Sequence, residues 1–147
     1  MDAIRMSSHT YDVGFPFKSE RELGDHFVDL IEQSLRGGAN VVVFPEYACQ
    51  ALARLPGYDL ARIAAFAWSG VFPRVLELSR THGALVCAGS APFARSGRFT
   101  NRALLAASWR EIVAEKRCLT PWETSFIEGG EPEVFEWNGL RVACLIY

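Results

Sequence analysis

Three valines and a phenylalanine at residues 41–44, stopped by Pro45, restrict the folds open to this chain. A β-branched run of this kind is typical of a buried strand, and proline ends it because proline cannot donate to a strand ladder. A helix is predicted just before it, since Ser19 and Glu22 form an S-x-x-E capping box and Gly37 follows the last helical position. A helix that leads directly into a buried strand indicates a layered α/β fold.

The segments that follow continue this alternation of helix and strand. The predicted elements are helices over residues 58–68 (broken by Gly70) and from Pro73 to Gly83, strands over 84–88 (closed by Gly89), 101–107 and 112–115, a loop over 119–130, and a hairpin of 134–137 and 140–147. This order predicts helices on one face of a sheet. The last strand is almost wholly apolar, so we expect cover on both of its faces. We treat residues 1–147 as one incomplete domain.

Charge and composition exclude several function classes. The net charge of −2 gives no electrostatic footprint for nucleic acid or an anionic membrane. No run has the length of a membrane-spanning helix, and the first residues lack the apolar stretch of a signal peptide, so we predict a cytoplasmic protein. The four cysteines are widely spaced without a C-x-x-C pair, which predicts free thiols and argues against a zinc site.

Glu46 is the first residue that could carry chemistry. It follows the strand of residues 41–44, and open α/β sheets place ligands at the carboxyl ends of their strands. A carboxylate at that edge is a candidate general base. The alternative is an ordinary glutamate in a surface loop.

Lys116 and Glu123 are the next candidates, and each is a weak signal alone. A lysine at a strand end can present its ammonium to a developing oxyanion, whereas the alternative is a solvated lysine beside Glu115. A second carboxylate near that cation can orient it. Trp122 could form the wall of an apolar pocket, although packing in the core or at an interface explains it equally well.

Together these segments resemble the nitrilase superfamily of carbon–nitrogen hydrolases over about residues 23–147. The family has a strand ending in F-P-E (Glu46 here), a later lysine followed by a second glutamate (K-R-C-L-T-P-W-E, residues 116–123), and a glycine-led strand that delivers a cysteine, often as I-C-Y-D. Gly139 opens the matching L-R-V-A-C-L-I-Y. Supporting matches are Gly38-Ala39, Gly89 and Asn101.

The resemblance implies an α/β fold of the α-β-β-α sandwich type, of which this chain is about half. It implies a homodimer or larger homo-oligomer, no metal or organic cofactor, and a small amide, nitrile or N-carbamoyl substrate. The implied chemistry is covalent catalysis through a thioester. Glu46 is then the general base, Lys116 stabilises the tetrahedral intermediate, and Glu123 positions the groups. Tyr47 and Trp122 are the candidate substrate-binding residues.

The chain departs from the family at the nucleophile. Counted from Gly139, the family cysteine falls at Tyr147 or Ile146. Cys144 lies two or three residues early, inside the predicted strand, and an odd shift reverses the direction of a strand side chain. Three explanations stay open: the chain is a fragment that stops at the nucleophile, a modified cysteine is missing where the chain breaks, or the protein is a short form without hydrolase activity.

Two rival functions follow from these observations. The first is a non-catalytic homologue that kept the sandwich for binding or oligomerisation and lost the thiol. The second is an α/β nucleotide-binding domain. The sequence has neither G-x-G-x-x-G nor G-x-x-x-x-G-K-[ST], which disfavours the nucleotide-binding interpretation.

Overall fold

A computed structural model describes residues 3–10, 12 and 14–146. Its helices are α1 (Glu20–Arg36), α2 (Leu60–Ala65) and α3 (Phe72–His82), with a 3₁₀ helix at Ala48–Arg54 and a π-helical segment at Phe66–Val71. Its strands are β1 (Met6–Ser8), β2 (Val41–Val43), β3 (Leu85–Arg95), β4 (Arg98–Ala107), β5 (Arg110–Ile112), β6 (Val134–Trp137) and β7 (Leu140–Ala143). The predicted alternation of helices and strands is confirmed.

Strands β1 to β5 form one sheet in chain order, and β6 and β7 form a separate antiparallel pair. β1, β2 and β3 run parallel to one another, whereas β4 is antiparallel to β3 and β5 is antiparallel to β4. Parallel neighbours require crossover connections. Here α1 provides the crossover from β1 to β2, and the helical stretch from residue 48 to residue 82 provides the one from β2 to β3. The fold class is therefore α/β, as predicted.

The sheet has an apolar core on each face. On one face, side chains of α1 such as Phe27 and Ile31 pack in one cluster with Val42 and Leu104 of the sheet. On the other face, Trp137 and Phe135 of the β6–β7 hairpin join a cluster that includes Val41, Leu85 and Ile112. The helices thus lie on one face, as predicted. The residues of β7 alternate between half-buried and exposed, so the described residues cover one of its faces, and cover on the other face stays a prediction.

Two glycines act differently from the prediction. Gly70 does not break the helix, because the backbone widens into the π-helical segment Phe66–Val71 and continues into α3. Gly89 does not close β3, because the strand bulges between Cys87 and Ser90 and continues to Arg95. Gly89 has a φ of +81° there, a backbone conformation that glycine adopts without strain.

One half of the predicted capping box of α1 is present, because the Ser19 side chain accepts a hydrogen bond from the Glu22 amide. The Glu22 carboxylate accepts from the Lys18 amide and not from that of Ser19. The 3₁₀ helix at Ala48–Arg54 was not predicted. All four cysteines are free thiols. Within the described ranges, no helix combines the length and apolar character needed to cross a lipid bilayer.

Candidate active site

Glu46 lies in a tight turn at the carboxyl end of β2. The chain leaves the sheet at Pro45 because proline has no amide hydrogen to donate to a neighbouring strand. Tyr47 then adopts a left-handed conformation with a φ of 58°. The Tyr47 amide donates to Ser90 Oγ at 3.0 Å. Gly89 lies directly beneath the turn, where a Cβ atom would be 2.5 Å from the Pro45 carbonyl oxygen. The β3 bulge therefore supports the turn that carries Glu46.

Lys116 is held by backbone bonds on both sides. Its amide donates to the Asn101 carbonyl of β4 at 2.8 Å, and its carbonyl accepts from the Gly129 amide at 2.8 Å. The loop after β5 therefore folds back over this residue. Of the two lysines in the sequence, Lys18 is exposed, whereas the Lys116 side chain is only 3% exposed. A buried ammonium needs charged partners, which Lys116 has.

Both predicted carboxylates meet the Lys116 ammonium. Lys116 Nζ lies 3.0 Å from Glu46 Oε1 and 3.3 Å from Glu123 Oε1. Burial alone would lower the pKa of Lys116, but its hydrogen bonds to the two glutamates outweigh that effect and raise the pKa. The Glu46 side chain is 30% exposed and the Glu123 side chain 5% exposed, so Glu46 is the more accessible carboxylate.

Glu123 is fixed by three groups besides the lysine. The Thr120 amide and hydroxyl donate to Glu123 Oε2 at 2.6 and 2.7 Å, and the Tyr47 hydroxyl donates to Oε1. Burial would raise the pKa of Glu123, but the bonds from Thr120, Tyr47 and Lys116 lower it to about 2. Glu123 is therefore a fixed negative charge at neutral pH.

Asn101 is a site residue whose role the sequence did not reveal. Its Nδ2 donates to Glu46 Oε1 at 2.7 Å, and the residue is fully buried in β4. Its Oδ1 atom has no hydrogen-bond partner among the described residues. Reversing the amide would place that oxygen against the Glu46 carboxylate, so the donor orientation is the favourable one. β4 also carries Arg98, Thr100 and Arg102, so the residue type gave no signal, and the sequence offered Asn101 only as a supporting match to the superfamily.

The two predicted substrate-binding residues lie in different surroundings. The Tyr47 ring is 6.0 Å from Lys116 Nζ and meets the Phe126 ring edge-on, with the ring centroids 6.2 Å apart. Trp122 is 79% exposed. The structure thus places Tyr47 against the glutamate–lysine cluster and Trp122 at the surface, and the substrate-binding role of both residues stays a prediction.

Two cavities adjoin Glu46. One of about 580 Å³ is lined by Glu46, Tyr47, His9 and Gln50 among others. The other, of about 280 Å³, is lined by Glu46 and by the segment after β7, which includes Cys144 and Ile146. Ile146 is one of the two positions expected for the family cysteine, and Tyr147 lies outside the described residues. In the described part of the chain, no three His, Cys, Asp or Glu side chains are grouped to hold a metal ion.

This arrangement places the Glu46 carboxylate, which can act as a base, next to the Lys116 ammonium. An accessible carboxylate can accept a proton from a nucleophile, and a buried ammonium can donate to a developing negative oxygen. The second carboxylate, which is ionised and fully hydrogen-bonded, keeps the ammonium in place.

The chain is similar to known proteins in sequence and in fold. Residues 18–146 match the family model described as carbon-nitrogen hydrolase. No curated protein sequence matches the chain. Among solved structures, an amidase from Nesterenkonia sp. matches with a TM-score of 0.63 and 19% identity, covering 86% of this chain and 49% of that one. A glutamine-dependent NAD⁺ synthetase from Acinetobacter baumannii matches with a TM-score of 0.63 and 17% identity, covering 86% and 24%.

A variant of the Nesterenkonia amidase, with acrylamide added at its active-site cysteine, matches with a TM-score of 0.61 and 18% identity, covering 86% of this chain and 51% of that one. At these identities the likeness establishes the fold. The α/β fold is that of the carbon–nitrogen hydrolase relatives, as predicted, and the chain spans about half the length of the amidases it matches.

Proposed function

Because the chain belongs to the carbon–nitrogen hydrolase family, we propose that it supplies the base and the oxyanion-stabilising cation for hydrolysis of a small amide. One observation carries the proposal: Lys116 Nζ is within hydrogen-bonding distance of both Glu46 and Glu123, beside cavities that Glu46 lines. Nitriles and N-carbamoyl compounds are the other substrate classes to test. The amide is favoured because amide hydrolysis is the commoner chemistry of the superfamily.

The proposed mechanism uses a thiol nucleophile. Glu46 accepts the thiol proton, and the thiolate attacks the amide carbon to form a tetrahedral intermediate. Lys116 donates a hydrogen bond to the oxyanion, while Glu123 holds the ammonium in position. The intermediate collapses to a thioester as the protonated amine leaves, and a water molecule that Glu46 deprotonates then releases the acid.

The nucleophile's position is supported by the cavity on the β7 side. Ile146, at one of the two positions where the family cysteine is expected, lines the same cavity as Glu46. A thiol on this segment would therefore face the proposed base. Cys144 lines that cavity as well and is the thiol nearest in sequence to the expected position.

The test is ammonia release from a panel of small amides and nitriles, and release of the free amine from N-carbamoyl compounds. We expect Glu46→Gln and Lys116→Met each to lower kcat/KM by about 10²-fold or more, the effect of removing one catalytic hydrogen-bonding group. Glu128→Gln and Lys18→Met are matched controls, because both residues are exposed. Activity that survives both cluster substitutions would rule out the mechanism.

A non-catalytic homologue is the second candidate, and the residues at the nucleophile position favour it. Ile146 and Tyr147 stand where the family has a cysteine. The discriminating probe is fluoroacetamide, followed by mass spectrometry of the intact chain and its peptides. A covalent adduct on a cavity thiol that disappears in Glu46→Gln supports catalysis. Cavity thiols that stay unlabelled while the exposed Cys118 reacts with iodoacetamide support the non-catalytic role.

Two further properties are part of this proposal. The superfamily resemblance favours a homodimer or larger homo-oligomer, which sedimentation of the purified protein tests directly. It also favours a cytoplasmic protein that acts on a small molecule without a metal or organic cofactor.

A further inference from the structure

Two thiols line the smaller cavity beside Glu46. Cys87 lies in β3, where it is paired with Val43 of β2 and Leu105 of β4. Cys144 directly follows β7. Both side chains line the cavity of about 280 Å³ and pack against the core of the sheet face that carries the hairpin. The fold thus brings together two cysteines that are far apart in sequence.

The two thiols line one cavity and pack against one apolar cluster. Cys87 Sγ lies 3.9 Å from the Gly89 carbonyl oxygen at the β3 bulge. Interaction with Cys144, together with burial, raises the pKa of Cys87, whereas interaction with Cys87 lowers the pKa of Cys144 despite burial. Cys144 is therefore the thiol of the pair that ionises more readily, and the thiolate is the form that reacts with oxidants.

The other two cysteines lack this arrangement. Cys49 is buried in the helix-side core, and burial raises its pKa to about 12. Cys118 is exposed in the loop that follows Lys116. Only Cys87 and Cys144 combine a partner thiol with a half-buried position at a cavity. That combination is the one expected of a pair of cysteines that oxidise together.

We propose that Cys87 and Cys144 are a modification site at which hydrogen peroxide forms a reversible intramolecular disulfide. The Cys144 thiolate attacks one peroxide oxygen, the O–O bond breaks, and the leaving hydroxide takes a proton to give water. The Cys87 sulfur then attacks the resulting sulfenic acid, the S–O bond breaks, and a second water leaves with the Cys87 proton. The peroxide accepts two electrons, one from each sulfur, so the reaction balances.

The disulfide would tie the end of the β6–β7 hairpin to the central sheet. The new bond would cross the cavity that Glu46 lines, so it would narrow the approach to that carboxylate from the β7 side. The modification itself does not depend on the proposed hydrolase function, because it needs only the two thiols and the oxidant.

The experiment is a peptide map of the purified 147-residue chain after treatment with hydrogen peroxide. The protein is then unfolded in iodoacetamide, which blocks every thiol that remains, and digested. We expect one linked peptide pair that joins Cys87 to Cys144 and has lost two hydrogens, with Cys49 fully alkylated. Dithiothreitol should restore both alkylated peptides. Alkylation of Cys87 and Cys144 after a treatment that oxidises Cys118 would overturn the proposal.

Variants assign the order of the two steps. Cys87→Ser should remove the cross-link and leave a sulfenic acid on Cys144 that dimedone captures. Cys144→Ser should remove the cross-link and leave Cys87 largely unoxidised. Cys118→Ser is the matched control and should keep the Cys87–Cys144 pair. Links that run instead from Cys118 to a second molecule would contradict the proposal, and the wild-type map decides this even if a variant fails to fold.

Discussion

Glu115 and Lys116 are neighbours in the chain, yet each is the centre of a different buried charge cluster. Glu115 Oε1 accepts from Arg102 Nε and Nη2 at 3.0 and 2.9 Å and from Thr100 Oγ1 at 2.9 Å. The Lys116 ammonium instead meets Glu46 and Glu123. Because successive residues of an extended chain point to opposite sides, one short segment supplies both clusters.

The difference between the clusters lies in what else their partners face. Arg102 is covered by the Phe93 ring, whose centroid is 3.5 Å from the guanidinium carbon. Arg95, which is 53% exposed, bonds to Glu115 at 3.2 Å from the solvent side, but neither Glu115 nor Arg102 lines the cavities beside Glu46. Glu46 lines two cavities and is the most exposed member of its own cluster. Burial of charge therefore does not identify a reactive site by itself, and an accessible partner beside a cavity is the more informative feature.

The largest expected effect is on amide-hydrolysis activity, which should depend on the Lys116 cluster and not on the Glu115 cluster. Lys116→Met should lower kcat/KM by about 10³-fold, because it removes the proposed donor to the oxyanion. Glu115→Gln should keep activity within about threefold of wild type, an expectation based on its position outside the proposed mechanism. Amide hydrolysis is measured for both variants, with circular dichroism to establish that each is folded. Similar losses in the two would remove the functional distinction.

The second effect is on stability and should be larger for Glu115 than for an exposed partner of the same arginine. Glu115→Gln leaves the mostly buried Arg102 without its main carboxylate, which should cost about 3 kcal/mol in the free energy of unfolding. Glu111 lies 3.5 Å from Arg102 and is 38% exposed, so Glu111→Gln should cost less than about 1 kcal/mol. Urea unfolding measures both, and equal costs would mean that the Glu115 cluster adds little stability.

The sequence predicts the place of a residue at a strand end better than it predicts a contact between residues that are far apart in the chain. Glu46 follows a strand that its residue types identify, and strand ends meet at one sheet edge, so its place was predictable. The contact of Asn101 with Glu46 joins residues 55 positions apart and depends on how β3 bulges between their strands. That bulge could not be predicted because a glycine after an apolar run is equally typical of a strand end and of a bulge.

The helical segment around Gly70 shows the same limit. The sequence predicted a break because an isolated glycine weakens a helix. In the structure, Phe66, Val71 and Phe72 are all buried in the helix-side core, and their packing keeps the segment helical through a wider turn. Tertiary packing thus outweighs a local preference of about 1 kcal/mol.

The third prediction uses pH to distinguish the clusters. The Glu123 pKa is lowered to about 2, so its stabilising contribution is present above about pH 4.5 and is lost as the pH falls towards 2. The Lys116 pKa is raised, so its contribution is present up to about pH 10.5 and is lost as the pH rises through the higher folded-state pKa. The pKa of Glu115 is lowered despite burial because Arg102 and Thr100 bond to it, so that cluster loses stability only on the acid side.

Urea unfolding at several pH values tests this difference. The acid-side loss from Glu123 should be on the order of 3 kcal/mol, at about 1.4 kcal/mol for each pKa unit between 4.5 and about 2. Lys116→Met should reduce the loss of unfolding free energy at alkaline pH, and Glu123→Gln should reduce the loss between about pH 4.5 and 2. Glu115→Gln should leave the alkaline loss as it is in wild type. An alkaline limb that is the same in wild type and Lys116→Met would show that the ammonium does not stabilise the fold.

The smallest expected effect concerns Asn101, which touches Glu46 but lies behind it in β4. Asn101→Ala removes the hydrogen bond that positions the proposed base, so kcat should fall about 10-fold while KM changes less than about twofold. Asn40→Ala is the matched control, because the Asn40 side chain bonds to the Arg5 amide and the Ala3 carbonyl instead. If the two variants lose the same kcat, the effect is one of general stability. A kcat loss confined to Asn101→Ala would show that the orientation of Glu46, and not its charge alone, distinguishes the Lys116 cluster from the Glu115 cluster.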